Sequence, residues 1–151
     1  MAVTDLPVKE SALISASYSL NLSENRLLLL ALITAKELHH TTDLEHLLGK
    51  RIELSAERYA NMFDVPEKSA YRLMQDACRS LFKRQFSYTE KANNESLWHR
   101  TSHWVIDIAY LNETETVALN LAPAVISSID ELEQHLTSYD IRKVVNLSNA
   151  H

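Results

Sequence analysis

The stretch from Ser55 to Arg84, SAERYANMFDVPEKSAYRLMQDACRSLFKR, restricts the possible folds more than any other part of the chain. Within it Ala70, Leu73, Met74, Ala77, Cys78, Leu81 and Phe82 recur at helical spacing, so one helix face is apolar and must be covered. Lys68, Arg72, Arg79 and Lys83 are spaced by four, seven and four residues, offsets that return to one line on the opposite face. A shorter helix is expected ahead of it, from Ala56 to Phe63, with Tyr59, Ala60, Met62 and Phe63 as its apolar residues. Asp64 and Val65 make the turn, Pro66 suits the first position of the next helix, and Glu67 complements that helix's positive N-terminus. Two helices joined so tightly, the second with a basic outer stripe, predict a helix-turn-helix that addresses DNA.

The apolar face needs a partner, and Leu27 to Ile33 supplies one. This run of seven apolar residues sits in ENRLLLLALITAKEL, which Ser23 is expected to open as a helix. A helix apolar almost all round belongs at the centre of a domain. Should the domain open, the same run would drive self-association, with Leu29→Lys as the change that suppresses it. A short helix from Ser11 to Tyr18, capped by Ser11, is expected before it. Arg51 to Ser55 alternates as a strand with Ile52 and Leu54 inward.

Beyond Gln85 the period changes to two. Phe86 and Tyr88 alternate with polar residues, and KANNE, from Lys91 to Glu95, has turn chemistry. Trp98, Trp104, Ile106, Ile108 and Tyr110 all fall on even positions and predict one long strand. After a turn at Asn112 to Glu115, Val117, Leu119 and Leu121 predict a third strand, and Pro123 opens a helix carrying Val125, Ile126, Ile129, Leu132 and Leu136. The fold class that follows is α+β: a winged helix, that is a helix-turn-helix plus β-hairpin wing, with additional N-terminal and C-terminal helices.

With 151 residues the chain is read as a single domain, 1–151. The tail, YDIRKVVNLSNAH, keeps apolar residues but has no stop signal, so a longer protein is expected to continue beyond it. No apolar run approaches the roughly 20 residues of a membrane span, and no secretory signal is visible, so no membrane partner is expected. One cysteine, Cys78, suits a reducing, cytoplasmic setting, and its place in the apolar stripe makes it core.

The formal charge of −5 weighs against strong nucleic-acid affinity. Its distribution is uneven. From Pro66 to Lys91 six Lys or Arg face three acids, whereas Val105 to Asp140 holds seven acids and no Lys or Arg. Nothing points to an enzyme: no nucleophile–base pairing is visible, one glycine rules out a glycine-rich phosphate loop, and no cofactor is implied. His39, His40, Asp43, Glu45 and His46 sit close in sequence, yet no helix or hairpin fixes them, so no metal site is expected.

The order of these segments resembles the iteron-binding, theta-type plasmid replication initiators, specifically the first, N-terminal, of that family's two winged-helix domains. The resemblance spans nearly the whole chain. It is carried by ASYSLNLSENRLLL, by AYRLMQDACRSLFKRQFSY, by SHWVIDIAY and by APAVISSIDELEQHLTSYDI. The final LSNAH is similar to the start of the helix that leads into the second domain. The resemblance implies a non-enzymatic module that forms a homodimer and helps contact double-stranded origin repeats, beside a second domain that carries most base recognition. Host replication proteins are further candidate partners.

On this reading Lys68, Arg72, Arg79 and Lys83 contact phosphates. Lys91, His99 and Arg100 flank the KANNE turn, where a wing would touch the backbone. Trp98, His99, Thr101, Ser102 and His103 form a partly polar stretch whose open edge would pair with a second chain. Two other classes stay open: a pure dimerisation module without DNA contact, and a winged-helix transcriptional regulator.

Overall fold

Two side chains at the start of the central helix show how the chain sets its own boundaries. Asn21 N–H donates to Glu24 Oε1 and Glu24 N–H donates to Asn21 Oδ1, both at 2.8 Å. This reciprocal cap satisfies two donors that the helix cannot use, so the helix is opened by Asn21 rather than by Ser23. A computed structural model of the chain describes residues 8–38 and 47–138. The His39–His46 group and the tail from 139 onward lie outside the described residues.

The helices are α1 (Val8–Ser17), α2 (Leu22–Leu38), α3 (Ala56–Phe63), α4 (Glu67–Lys83), α5 (Pro123–Ile126) and α6 (Ile129–Ser138). The strands are β1 (Ile52–Ser55), β2 (Gln85–Lys91), β3 (Leu97–His103), β4 (Val105–Leu111) and β5 (Thr116–Leu121). In α2, Leu27 to Leu32 and Ala35 are buried. The helix packs against α3, α4, α6 and β1. Each leucine so buried contributes on the order of 1.5–3 kcal/mol. Leu29 is therefore unsuited to the lysine change suggested by sequence, because the charge would enter the core and unfold it.

Ser55 ends β1 and caps α3, its side chain accepting from Arg58 N–H at 3.1 Å. Asp64 follows α3 in the left-handed region at φ 54°, and its N–H closes onto Ala60 C=O. Pro66 lies one position earlier than expected, as the N-cap of α4 with extended backbone, so helical geometry begins at Glu67. Ala70, Met74, Ala77, Cys78 and Leu81 are buried as the periodicity requires, while Phe82 is 38% exposed.

Three strands form one sheet in the order β1-β5-β4, all antiparallel. Ile52 faces Leu119 and Leu54 faces Val117, which places the inward residues of β1 and β5 in register. A separate two-stranded sheet, β2-β3, is inserted between α4 and β4.

Three further expectations differ from the structure. The single long strand is two strands, broken at Trp104. Trp104 N–H reaches Arg84 C=O at 3.4 Å, and its own carbonyl accepts from Ala122 N–H at 3.0 Å, so its backbone bonds towards both sheets. The register then slips between Val105 and Asp107, turning Ile106 out to solvent and Val105 in. The helix from Pro123 is likewise two helices, parted at Ser127–Ser128, where Ser128 Oγ donates to Glu10 Oε2 at 3.2 Å and ties α6 to α1. Finally, α1 begins at Val8, so Ser11 lies inside it rather than capping it.

Candidate DNA and self-association surfaces

The outer face of α4 carries its stripe as the spacing requires: Lys68, Arg72, Arg79 and Lys83 are all exposed. They are not equally available. Among the described residues Lys68, Arg72 and Lys83 have no ion-pair partner. Arg79 Nη2 sits 2.5 Å from Asp76 Oδ1, and its guanidinium lies 5.9 Å from the Tyr110 ring centroid on β4. The Asp76 pair is exposed at both ends, so a phosphate can compete for Arg79 at little expense.

At the end of α4 stands a basic residue that periodicity passes over. Arg84 Nε donates to Glu24 Oε2 at 3.0 Å, and Ser80 Oγ donates to the same oxygen. The Glu24 side chain is wholly buried and the Arg84 side chain is 42% exposed. The α2 cap is thus also the anchor for the end of α4. A carboxylate three residues after Asn21 marks the cap in sequence, but nothing local marks a partner 60 residues away.

The wing of the helix-turn-helix is the hairpin whose strands continue the β1 sheet. That hairpin is β4–β5, not β2–β3, so Lys91, His99 and Arg100 flank a different turn from the wing. The wing tip, Asn112–Thr114, is one 3-10 turn, followed by Glu115 at φ 50°. Tyr71 Oη donates to Asn112 Oδ1 at 2.5 Å, and Ala56 N–H donates to Glu115 C=O at 3.0 Å. These two bonds hold the tip against α4 and the start of α3.

In the β2–β3 hairpin, Phe86 and Tyr88 are buried and Phe86 packs 4.8 Å from Trp104, ring centre to ring centre. Arg100 Nη1 donates to Glu90 Oε1 at 2.7 Å and its guanidinium lies 5.2 Å over Tyr88. Lys91 is exposed at the strand end. Along β3, Trp98, His99 and Thr101 are exposed, Ser102 is half-buried, and Ser102 Oγ donates to His103 C=O at 2.9 Å. His103 is held at the hairpin base, with Nδ1 3.2 Å from Phe82 C=O and Nε2 3.3 Å from Gln85 Nε2. Thr101 Oγ1 meets Ser87 Oγ at 3.1 Å.

The backbone register decides which groups β3 leaves open. Ala92 N–H reaches Ser96 C=O at 2.8 Å, and at the other end Trp104 N–H reaches Arg84 C=O. Hydrogen-bonded pairs therefore recur at Glu90–Trp98, Tyr88–Arg100 and Phe86–Ser102. Leu97, His99, Thr101 and His103 consequently turn their N–H and C=O groups away from β2, towards an edge that no strand among the described residues covers.

Cys78 is buried, and desolvation pushes its thiol up to about 12, leaving no thiolate for chemistry at neutral pH. Among the described residues no His, Cys, Asp and Glu cluster is arranged to hold a metal, and no helix is long and apolar enough to cross a membrane.

A family model described as initiator replication protein, WH1, matches residues 7–151. Among solved structures, the chain is similar to the crystal structure of the MSBI1.176 WH1 domain, a replication protein isolated from a multiple sclerosis patient. The two share 41% sequence identity and a TM-score of 0.75, over 85% of this chain and 95% of that one. No curated protein sequence matches the chain.

Proposed function

Because this chain belongs to the initiator replication protein WH1 family, we propose that it is the first winged-helix module of a plasmid replication initiator. In this reading it pairs with a second copy through the β3 edge and adds phosphate contacts to origin-repeat DNA through α4. A second winged helix beyond His151 carries most of the base recognition, and the protein acts in the cytoplasm.

The observation that carries the DNA reading is the exposed line of Lys68, Arg72, Arg79 and Lys83 on the second helix of a helix-turn-helix. Contacts of this kind position a protein on the duplex without reading sequence. Lys91 adds charge at the far end of the hairpin. Arg100 is engaged by Glu90 in a pair exposed at both ends, as Arg79 is by Asp76, so a phosphate would compete for either guanidinium on similar terms. For pairing, the supporting observation is the unpartnered edge with Leu97 and Trp98 exposed beside it. Trp98, His99, Thr101, Ser102 and His103 would then lie at the junction of the two copies.

Arg72→Ala combined with Arg79→Ala tests the stripe. Binding by the full-length initiator should weaken, and the slope of log affinity against log salt should flatten by roughly one to two units. An unchanged slope removes the stripe from the mechanism. The charge of −5 favours a second reading, in which this module only dimerises and the partner domain alone holds DNA. Anisotropy titration of this chain against labelled duplex at low salt separates the two, since the dimerisation-only reading predicts no salt-sensitive binding.

A further inference from the structure

In helix-turn-helix docking, the amino-terminal residues of the second helix approach the base edges. Here that end of α4 has an acidic neighbour. The β4–β5 tip is held beside it by the Tyr71–Asn112 bond, and Tyr71 lies between Lys68 and Arg72 in the same helix. Glu113 and Glu115 at the tip are both exposed, and neither has an ion-pair partner among the described residues. Glu115 is fixed by its backbone bond to Ala56, next to the exposed Glu57, and Glu67 stands at the first turn of α4. Arg58, the nearest cation on α3, is committed to Glu37 by two bonds of 2.7 and 2.6 Å. No Lys or Arg occurs anywhere from Val105 to Asp140, so neither strand of the wing offsets this charge. The opposite end of α4 is different, with Arg79, Lys83 and Arg84 gathered around one shallow cleft beside Asp76 and Ser80.

We propose that the wing tip is an electrostatic guard. Glu113 and Glu115 oppose phosphate at the amino-terminal half of α4, so a duplex engages this domain through the carboxy-terminal half, at Arg79 and Lys83. The inference rests on the DNA-contact reading above and specifies its orientation. A wing that repels the backbone excludes the wing-first pose. It leaves a side-on contact that fits a supporting module beside a separate base reader. The repulsion acts over about a Debye length, roughly 10 Å at 0.1 M salt, which spans the tip and the adjoining turn of α4 but not the whole helix.

The test titrates this chain against labelled duplex across a salt series, as wild type, as Glu113→Gln with Glu115→Gln, as Lys68→Ala and as Lys83→Ala. The double Gln variant should bind about three- to tenfold tighter at about 50 mM salt, with the gain fading near about 300 mM. Lys83→Ala should weaken binding more than Lys68→Ala. Glu131→Gln on α6, a helix that packs against α1 and α2, should change little. If the double variant unfolds earlier on heating, Glu113→Gln alone replaces it and should give a smaller gain of the same sign. Salt-sensitive binding that is equal in wild type and Gln variants overturns the guard, as does a larger loss from Lys68→Ala. If neither wild type nor the variants bind in a salt-sensitive way, the DNA reading itself falls, and the guard with it.

Discussion

Individual residues do more joining here than their types suggest. Glu24 caps α2, accepts from Ser80 and binds Arg84, so one buried carboxylate fixes the start of one helix to the end of another. Glu24→Ala should lower unfolding free energy by about 3 kcal/mol in urea titration, because the cap, the Ser80 bond and the Arg84 pair all go together. His135 acts in the opposite sense. Burial holds its imidazole below the usual 6.5, and its ring meets Tyr18 edge-on at 5.1 Å. The folded state therefore keeps it neutral where the unfolded chain takes a proton. Stability from this residue is intact above pH 6.5, declines as pH falls through that value, and stops changing below the depressed folded-state pKa. Thermal midpoints measured from pH 7.5 to 5 should fall for wild type, and His135→Gln should flatten the part of the decline that belongs to this group.

At the scale of elements, the legible parts were those whose burial follows one period. The inner face of α4, the all-round apolar α2 and the Ile52–Leu54 alternation each need one neighbour only, so composition along a single element reveals them. The Trp98–Tyr110 stretch did not yield in the same way. Its apolar residues keep strict parity across a bend at Trp104 and a bulge at Ile106, and parity alone cannot distinguish one strand from two that belong to different sheets. For the same reason the wing was expected at the KANNE turn, whereas strand order assigns it to β4–β5. The hairpin register offers a selective test of pairing. The His99 N–H points away from β2, so His99→Pro removes an edge donor while sparing the β2–β3 ladder. Light scattering after size exclusion should show the dimer population lost while circular dichroism stays near wild type. A variant that dimerises as before would rule out pairing through this edge.

Across the whole molecule, charge is separated rather than merely negative. Acids gather from β4 onward and cations on α4, and folding brings the acidic wing tip against one end of the basic helix. The two runs were visible in the sequence. Their meeting was not, because it depends on Tyr71 reaching Asn112, 41 residues on, and on the inserted hairpin placing β4 beside β5. Candidate residues on the stripe could be read from helical offsets, but which of them are already engaged by Asp76 or Glu90 is a tertiary fact.

The bend at Trp104 also gives the chain a pair of optical gauges. Its two tryptophans stand at opposite extremes, Trp104 at 1% exposure beneath the junction of the sheets and Trp98 at 64% near the hairpin tip. Emission from the first reports whether the two sheets remain joined, and emission from the second reports what approaches the open strand. Unfolding and assembly can therefore be followed separately, in one unlabelled protein, by the colour of its own fluorescence.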